Sequence, residues 1–250
     1  MNVLRNLPNL IKLLRSVRIF NFYAKDITAA RNEGDVAKER EAIAYSTHIW
    51  ASKVEELFHL SFDIRGKENI PSENGCVFIS NHQGYADIIA MFLALEGKQI
   101  GFIAKDSLEK APYFGTWIKN IRGIYIHRGN AREAMKTIQE GAETLQKGFN
   151  LVIFPEGTRS QGPVMGQFKA GSFKLATKAK APIVPVTING SYKAFEEKGV
   201  MRPAKITVVI HPAIQTKDLD RKGLHDMETN VEETIRTTLS QLVAEEKQPN

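Results

Sequence analysis

The chain has 250 residues, 42% of them hydrophobic and 25% charged, which is ordinary for a globular protein able to bury a substantial core in one large domain, with or without a small appendage. Its single cysteine, Cys76, excludes an internal disulfide framework, gives no sign of a zinc cluster and fits a reducing compartment. A net charge of +6 and a pI near 9.3 favour an anionic partner, and nucleic acid, anionic lipid and a phosphorylated substrate all satisfy that until the charges are placed.

Residues 1–60 read as a helical hairpin joined to an α/β body over residues 61–250. In the stretch 7–24, Leu10, Leu13, Leu14, Val17, Phe20 and Ala24 follow helical spacing along one stripe. Lys12, Arg15 and Arg18 share the rest of the wheel with Ile11, Ile19, Phe22 and Tyr23. Charge breaks this helix too often for it to span a bilayer, and no signal-peptide pattern is present. Lying in a membrane interface with basic stems reaching the headgroups suits it, as does packing on its own domain. A polar turn at 31–35 leads to a second helix that runs to about Leu60, with Ile43, Trp50, Val54 and Leu57 on one face. Trp50, Phe58 and Phe62 fit either an interface or a core.

From Phe62 onward short apolar runs alternate with helical stretches. Strands are expected at 62–65, 75–80, 99–104, 123–127, 150–154, 182–188 and 205–211. Helices are expected at 88–95, 107–119, 131–147, 169–180 and 224–244. That alternation predicts a largely parallel central sheet of about seven strands, covered by helices on both faces. Asn130 and Glu133 form a capping pair at the start of the helix that Gly148 ends.

Three segments carry chemistry. In Ser80-Asn81-His82-Gln83-Gly84-Tyr85-Ala86-Asp87, between a strand and a helix, His82 and Asp87 are too far apart in sequence to meet on one helix face. They meet only if His82 lies in the turn and Asp87 in the first helical turn, which would give a general base and its orienting carboxylate. A helix cap or a surface pair is the plainer alternative. The strand ending at Phe154 runs into Pro155-Glu156-Gly157-Thr158-Arg159-Ser160, where Thr and Arg side chains and loop amides can cradle a phosphate. A surface turn with an internal Glu156–Arg159 pair is its alternative. Arg128 and Lys105 stand at the ends of two further strands, on the side of His82. His127 and His211 have no comparable context.

No G-x-S-x-G elbow, H-E-x-x-H, Walker loop or G-x-G-x-x-G occurs. The substrate itself is then expected to provide the nucleophile, with His82 removing its proton. Basic residues scattered through an apolar helix and at strand ends, without interleaved aromatics, argue against a nucleic-acid partner.

Taken together, these segments resemble the glycerolipid acyltransferases, specifically the bacterial 1-acylglycerol-3-phosphate acyltransferases. Asn81, His82 and Asp87 match the family's N-H-x4-D block, and Gly123, Ile126 and Arg128 match the second block. Phe154 to Ser160 match F-P-E-G-T-R-S without a change, and Val184, Pro185 and Val186 match the fourth block. The segment with Lys105, Pro112 and Gly115 is similar to the family's lysine-bearing link. The resemblance implies acyl transfer from an acyl carrier protein or coenzyme A thioester to the sn-2 hydroxyl of lysophosphatidic acid. Glycerol 3-phosphate or a lysophospholipid is the alternative acceptor, and a non-catalytic lipid-binding protein the alternative outside enzymes. His82 and Asp87 are implied as catalytic, and Glu156, Gly157, Thr158, Arg159, Arg128 and Lys105 as ligands of the acceptor phosphate. No metal or redox cofactor is implied. The hairpin resembles membrane-dipping helices, which sets the expected location at the cytoplasmic face of an anionic phospholipid membrane.

Overall fold

The computed structural model describes residues 3–126 and 131–247. Helix α1 (Val3–Glu33) runs well past the stretch read as helical, because the polar turn contracts to Gly34 and Asp35. Asp35 caps α2 (Val36–Phe58) by accepting the amide of Lys38. Then follow β1 (Leu60–Arg65), β2 (Val77–Ser80), α3 (Ala86–Ala94) and β3 (Ile100–Lys105). Next come α4 (Phe114–Asn120), β4 (Ile124–Ile126), α5 (Ala131–Gln146), β5 (Asn150–Ile153) and α6 (Lys174–Ala179). The chain closes with β6 (Ile183–Asn189), β7 (Ala204–Ile210) and α7 (Arg221–Glu245).

The helix expected over 107–119 is shorter. A 3-10 turn at Asp106–Leu108 precedes α4, because Pro112 lacks an amide donor and disfavours helix at the residue before it, and Tyr113 takes a φ of 66°. The stretch 169–180 divides likewise into a 3-10 turn at Ala170–Ser172 and α6. The capping role assigned to Asn130 falls outside the described residues.

The seven-stranded sheet has the order β1-β7-β6-β2-β5-β3-β4. Every neighbouring pair is parallel except β6–β7, so β2 to β6 all present their carboxyl ends at one edge. Central strands are buried on both faces, and their period of two deals residues to two cores. Phe78, Val152 and Val184 pack with α2, α3 and α4. Val77, Ile79, Leu151 and Ile183 pack with α5, α6 and α7.

Trp50 and Phe58 prove to be core residues, and Ile27, Ile43 and Val54 join the same cluster, so α2 and the end of α1 are built into the body. Trp50 Nε1 donates to Ser16 Oγ at 3.1 Å, and Val17 is buried beside it in sequence. The first two-thirds of α1 carries a different face: Leu7, Ile11, Leu14 and Phe22 are exposed together with Lys12, Arg15, Arg18 and Lys25. Leu14 therefore leaves the stripe to which its spacing assigned it. Asn6 Nδ2 donates to Gly199 O at 2.7 Å, which sets this part of α1 against the segment that follows β6. At the other end of α1 the buried Glu39 accepts from Arg31 and Arg122, at 2.8 and 2.7 Å, and ties both helices to the turn before β4.

Candidate active site

Strand β2 lies between β5 and β6 and ends at Ser80, where the chain leaves the ladder. Such strand ends in open α/β sheets form binding crevices. Asn81 extends the pairing with its side chain: Oδ1 accepts from Ile188 N and Nδ2 donates to Ile188 O, both at 2.8 Å. Gln83 does similar work two residues on, accepting from Gly190 N at 2.9 Å. His82 is thus gripped on both sides by amide side chains bonded to the end of β6, while 18% of its own side chain stays exposed.

Asp87 sits in the first turn of α3 and is fully buried. Its Oδ2 accepts from Gln83 N at 2.7 Å and Gly84 N at 2.9 Å, and lies 2.6 Å from His82 Nδ1. A carboxylate at a helix amino terminus that also accepts backbone amides is favourably placed there. With Nδ1 engaged by the carboxylate, Nε2 is the ring nitrogen left for other contacts. The ring is steadied by Phe154, stacked with centroids 4.1 Å apart and planes at 13°.

The loop after β5 is laced to the His82 turn. Ser160 N donates to His82 O at 2.8 Å and Gln161 N to Gln83 O at 3.1 Å. Glu156 closes the join from within, with Oε1 accepting from His82 N and Oε2 from Gly166 N, both at 2.7 Å. Burial raises the Glu156 carboxyl above its ordinary value, and the two backbone donors oppose that rise. Arg159 stands further out. Its Nη1 is 2.6 Å from Glu196 Oε1, and its guanidinium carbon lies 3.7 Å over the ring of Tyr85.

Residues 61–189 match the family model described as Acyltransferase. The chain belongs to the acyltransferase family. A chloroplastic 1-acyl-sn-glycerol-3-phosphate acyltransferase of Brassica napus is 34% identical over 176 residues, which are 69% of this chain and 50% of that protein. A Pseudomonas aeruginosa protein of the same name is 30% identical over 195 residues, 78% of this chain and 74% of that one. The chain spans about half the length of the plant relatives it matches. The crystal structure of the Thermotoga maritima 1-acyl-sn-glycerophosphate acyltransferase PlsC superposes with a TM-score of 0.77 at 24% identity, covering 98% of this chain and 99% of that one, a likeness of fold.

In this acyltransferase the residues read from sequence separate by position. His82 and Asp87 come together, with His82 in the turn and Asp87 in the first turn of α3, the one placement in which their spacing lets them meet. Glu156 has both carboxylate oxygens engaged by backbone amides, a pin between the two loops, and the Glu156–Arg159 pair is not formed, since Arg159 pairs with Glu196. Gly157 shapes the turn at a φ of 67°, Thr158 is exposed, and Lys105 is exposed at the end of β3. Arg128 and His127 lie outside the described residues. His211 bonds to Thr187 Oγ1 at 2.9 Å away from the His82–Asp87 pair, and burial lowers its pKa. Among the described residues no cluster of His, Cys, Asp or Glu is arranged to hold a metal ion. Sequence reasoning missed Glu196, which sits beside Glu197 in a polar run and carries no signal that sets it apart. It also gave no task to Gln83 or to the side chain of Asn81.

Proposed function

We propose that this acyltransferase moves an acyl chain from a thioester donor to the sn-2 hydroxyl of 1-acylglycerol 3-phosphate, giving phosphatidic acid. The observation that carries the reading is the His82–Asp87 pair at 2.6 Å, tied by backbone hydrogen bonds to the loop that bears Arg159. His82 Nε2 takes the hydroxyl proton as the oxygen attacks the thioester carbonyl. The tetrahedral oxyanion then collapses, the carbon–sulfur bond breaks, and the imidazolium returns the proton to the departing thiolate. Asp87 holds the tautomer and stabilises the imidazolium. Arg159 grips the acceptor phosphate with Thr158 and the Gly157 turn beside it, and Lys105 and Arg128 add positive charge from neighbouring strand ends. The donor is a coenzyme A or acyl carrier protein thioester.

No helix among the described residues is long and apolar enough to cross a membrane. The exposed Leu7, Ile11, Leu14 and Phe22, interleaved with exposed Lys12, Arg15, Arg18 and Lys25, suit shallow insertion into an anionic bilayer surface. The cytoplasmic face is the side where thioester donors are available.

Thiol release with one acyl donor tests the reading against lysophosphatidic acid, glycerol 3-phosphate and a lysophospholipid in parallel. Lysophosphatidic acid should be the preferred acceptor, and folded His82→Ala should lose activity; near-normal turnover by that variant sinks the general-base role. For the membrane, deleting residues 1–60 is uninformative because it strips Ile43, Trp50 and Val54 from the core. Lys12→Glu/Arg15→Glu/Arg18→Glu should instead release the protein from anionic vesicles, and unchanged binding would place the anchor elsewhere.

A further inference from the structure

Glu196 belongs to none of the segments that announce the site, yet it touches both loops that build it. Its Oε1 accepts from Arg159 Nη1 at 2.6 Å and from the backbone amide of Tyr85 at 2.9 Å. Its Oε2 lies against Gly84, where a Cβ would stand only 2.5 Å away, so the carboxylate packs into the space that glycine leaves. The Glu196 side chain is 2% exposed, and Arg159 is 27% exposed. Tyr85, whose ring carries the guanidinium, packs in turn against Phe195 with centroids 5.9 Å apart.

We propose that Glu196 is a positioning residue for the phosphate clamp, fixing Arg159 flat on Tyr85 and in register with the His82 turn. The proposal rests on the reading that Arg159 binds the acceptor phosphate. A long arginine side chain samples many rotamers, and its ordering is ordinarily charged against ligand affinity. Here the ordering is done before the ligand arrives, by one buried carboxylate and one aromatic face. Glu196 takes Nη1, and Arg159 makes no further hydrogen bond among the described residues, so its other guanidinium donors remain available to a phosphate. Because Glu196 Oε1 also holds Tyr85 N, two residues before Asp87, the arginine and the His82–Asp87 turn share one anchor. That anchor fixes the distance between phosphate and base, which selects acceptors whose hydroxyl and phosphate match it.

The test is a double-mutant cycle of Glu196→Ala and Arg159→Ala, with KM for lysophosphatidic acid and for the acyl donor measured separately. Glu196→Ala should raise the acceptor KM about two- to twelvefold, the cost of ordering one rotamer-rich side chain on binding. The donor KM should not move. The double variant should show the acceptor KM of Arg159→Ala alone, since Glu196 acts only through the arginine. Glu196→Gln keeps the shape and an oxygen for both donors, so it should melt near the wild type and fall between wild type and Glu196→Ala in acceptor KM. If Arg159→Ala raises the acceptor KM while Glu196→Ala and Glu196→Gln leave it unchanged, Glu196 is structural only and the proposal falls, while the clamp stands. Additive effects in the double variant overturn it equally. If Arg159→Ala itself leaves the acceptor KM unchanged, the phosphate clamp falls and the proposal with it.

Discussion

Asp87→Asn separates the two jobs that a carboxylate does for a catalytic histidine. In the wild type Oδ2 receives two backbone amides, from Gln83 and Gly84, besides the His82 ring. An asparagine NH2 group cannot take that place, because it would face two N–H donors. The amide oxygen must occupy it, so His82 keeps an acceptor for its Nδ1 proton and the tautomer survives. The NH2 group takes the place of Oδ1, which is buried without a hydrogen-bond partner among the described residues, so one unpartnered polar atom replaces another. What disappears is the charge that stabilises the imidazolium. Two unit charges about 4 Å apart at an effective dielectric of ~20 interact by about 4 kcal/mol, which is about a thousandfold in rate. Where such a substitution also turns the ring to the wrong tautomer, the loss is nearer ~10⁴-fold. The assay is initial-rate thiol release at saturating lysophosphatidic acid, with nitrogen NMR of the His82 ring to read the tautomer. A loss below about tenfold in folded protein would refute the electrostatic role. A reversed tautomer would refute the argument that the Gln83 and Gly84 amides orient the side chain.

Two further outcomes follow from buried carboxylates. Glu39→Ala should destabilise the fold by about 3 kcal/mol in urea titration, near the low end for breaking a buried pair, because Arg31 and Arg122 keep 29% and 31% of their side-chain surface in water. A change under about 1 kcal/mol would mean that Glu39 does not lock the hairpin to the body. For Glu156, burial raises the folded carboxyl above its unfolded value. Its protonation therefore contributes stability that is fully present below the ordinary carboxylate range and is lost as pH rises through the raised folded value. Glu156→Gln does not titrate and places an NH2 group against either His82 N or Gly166 N, so it should be less stable than wild type throughout. Its deficit in melting temperature should narrow as pH rises from the ordinary carboxylate range through the raised folded value. A deficit that widens with pH contradicts the sign.

Much of the architecture was legible because burial writes itself into hydrophobic period. The runs ending at Ile79, Ile153 and Ile188 are short and apolar, as strands covered on both faces must be, and the last helix shows Val231, Ile235 and Leu239 on one side. The spacing of His82 and Asp87 across a strand-to-helix junction showed how they could meet, and the resemblance of the N-H-x4-D block favoured it over a helix cap or surface pair, but the contact itself is a product of the fold. Chain order alone did not show that β7 turns antiparallel to β6, nor that Trp50 belongs to the core, because both depend on which surfaces meet. Nor did sequence show how Glu156 and Glu196 are used. A carboxylate in a polar loop has the same local pattern whether it faces water, a substrate or a backbone amide. Its task depends on donors brought from elsewhere in the chain: His82 N and Gly166 N for Glu156, and Tyr85 N and Arg159 for Glu196. The sequence by itself thus determined the residue types, the sheet and the candidate pair His82 and Asp87. Only the tertiary structure decided which acids hold the two loops together, because long-range hydrogen bonds leave no periodic trace in the chain.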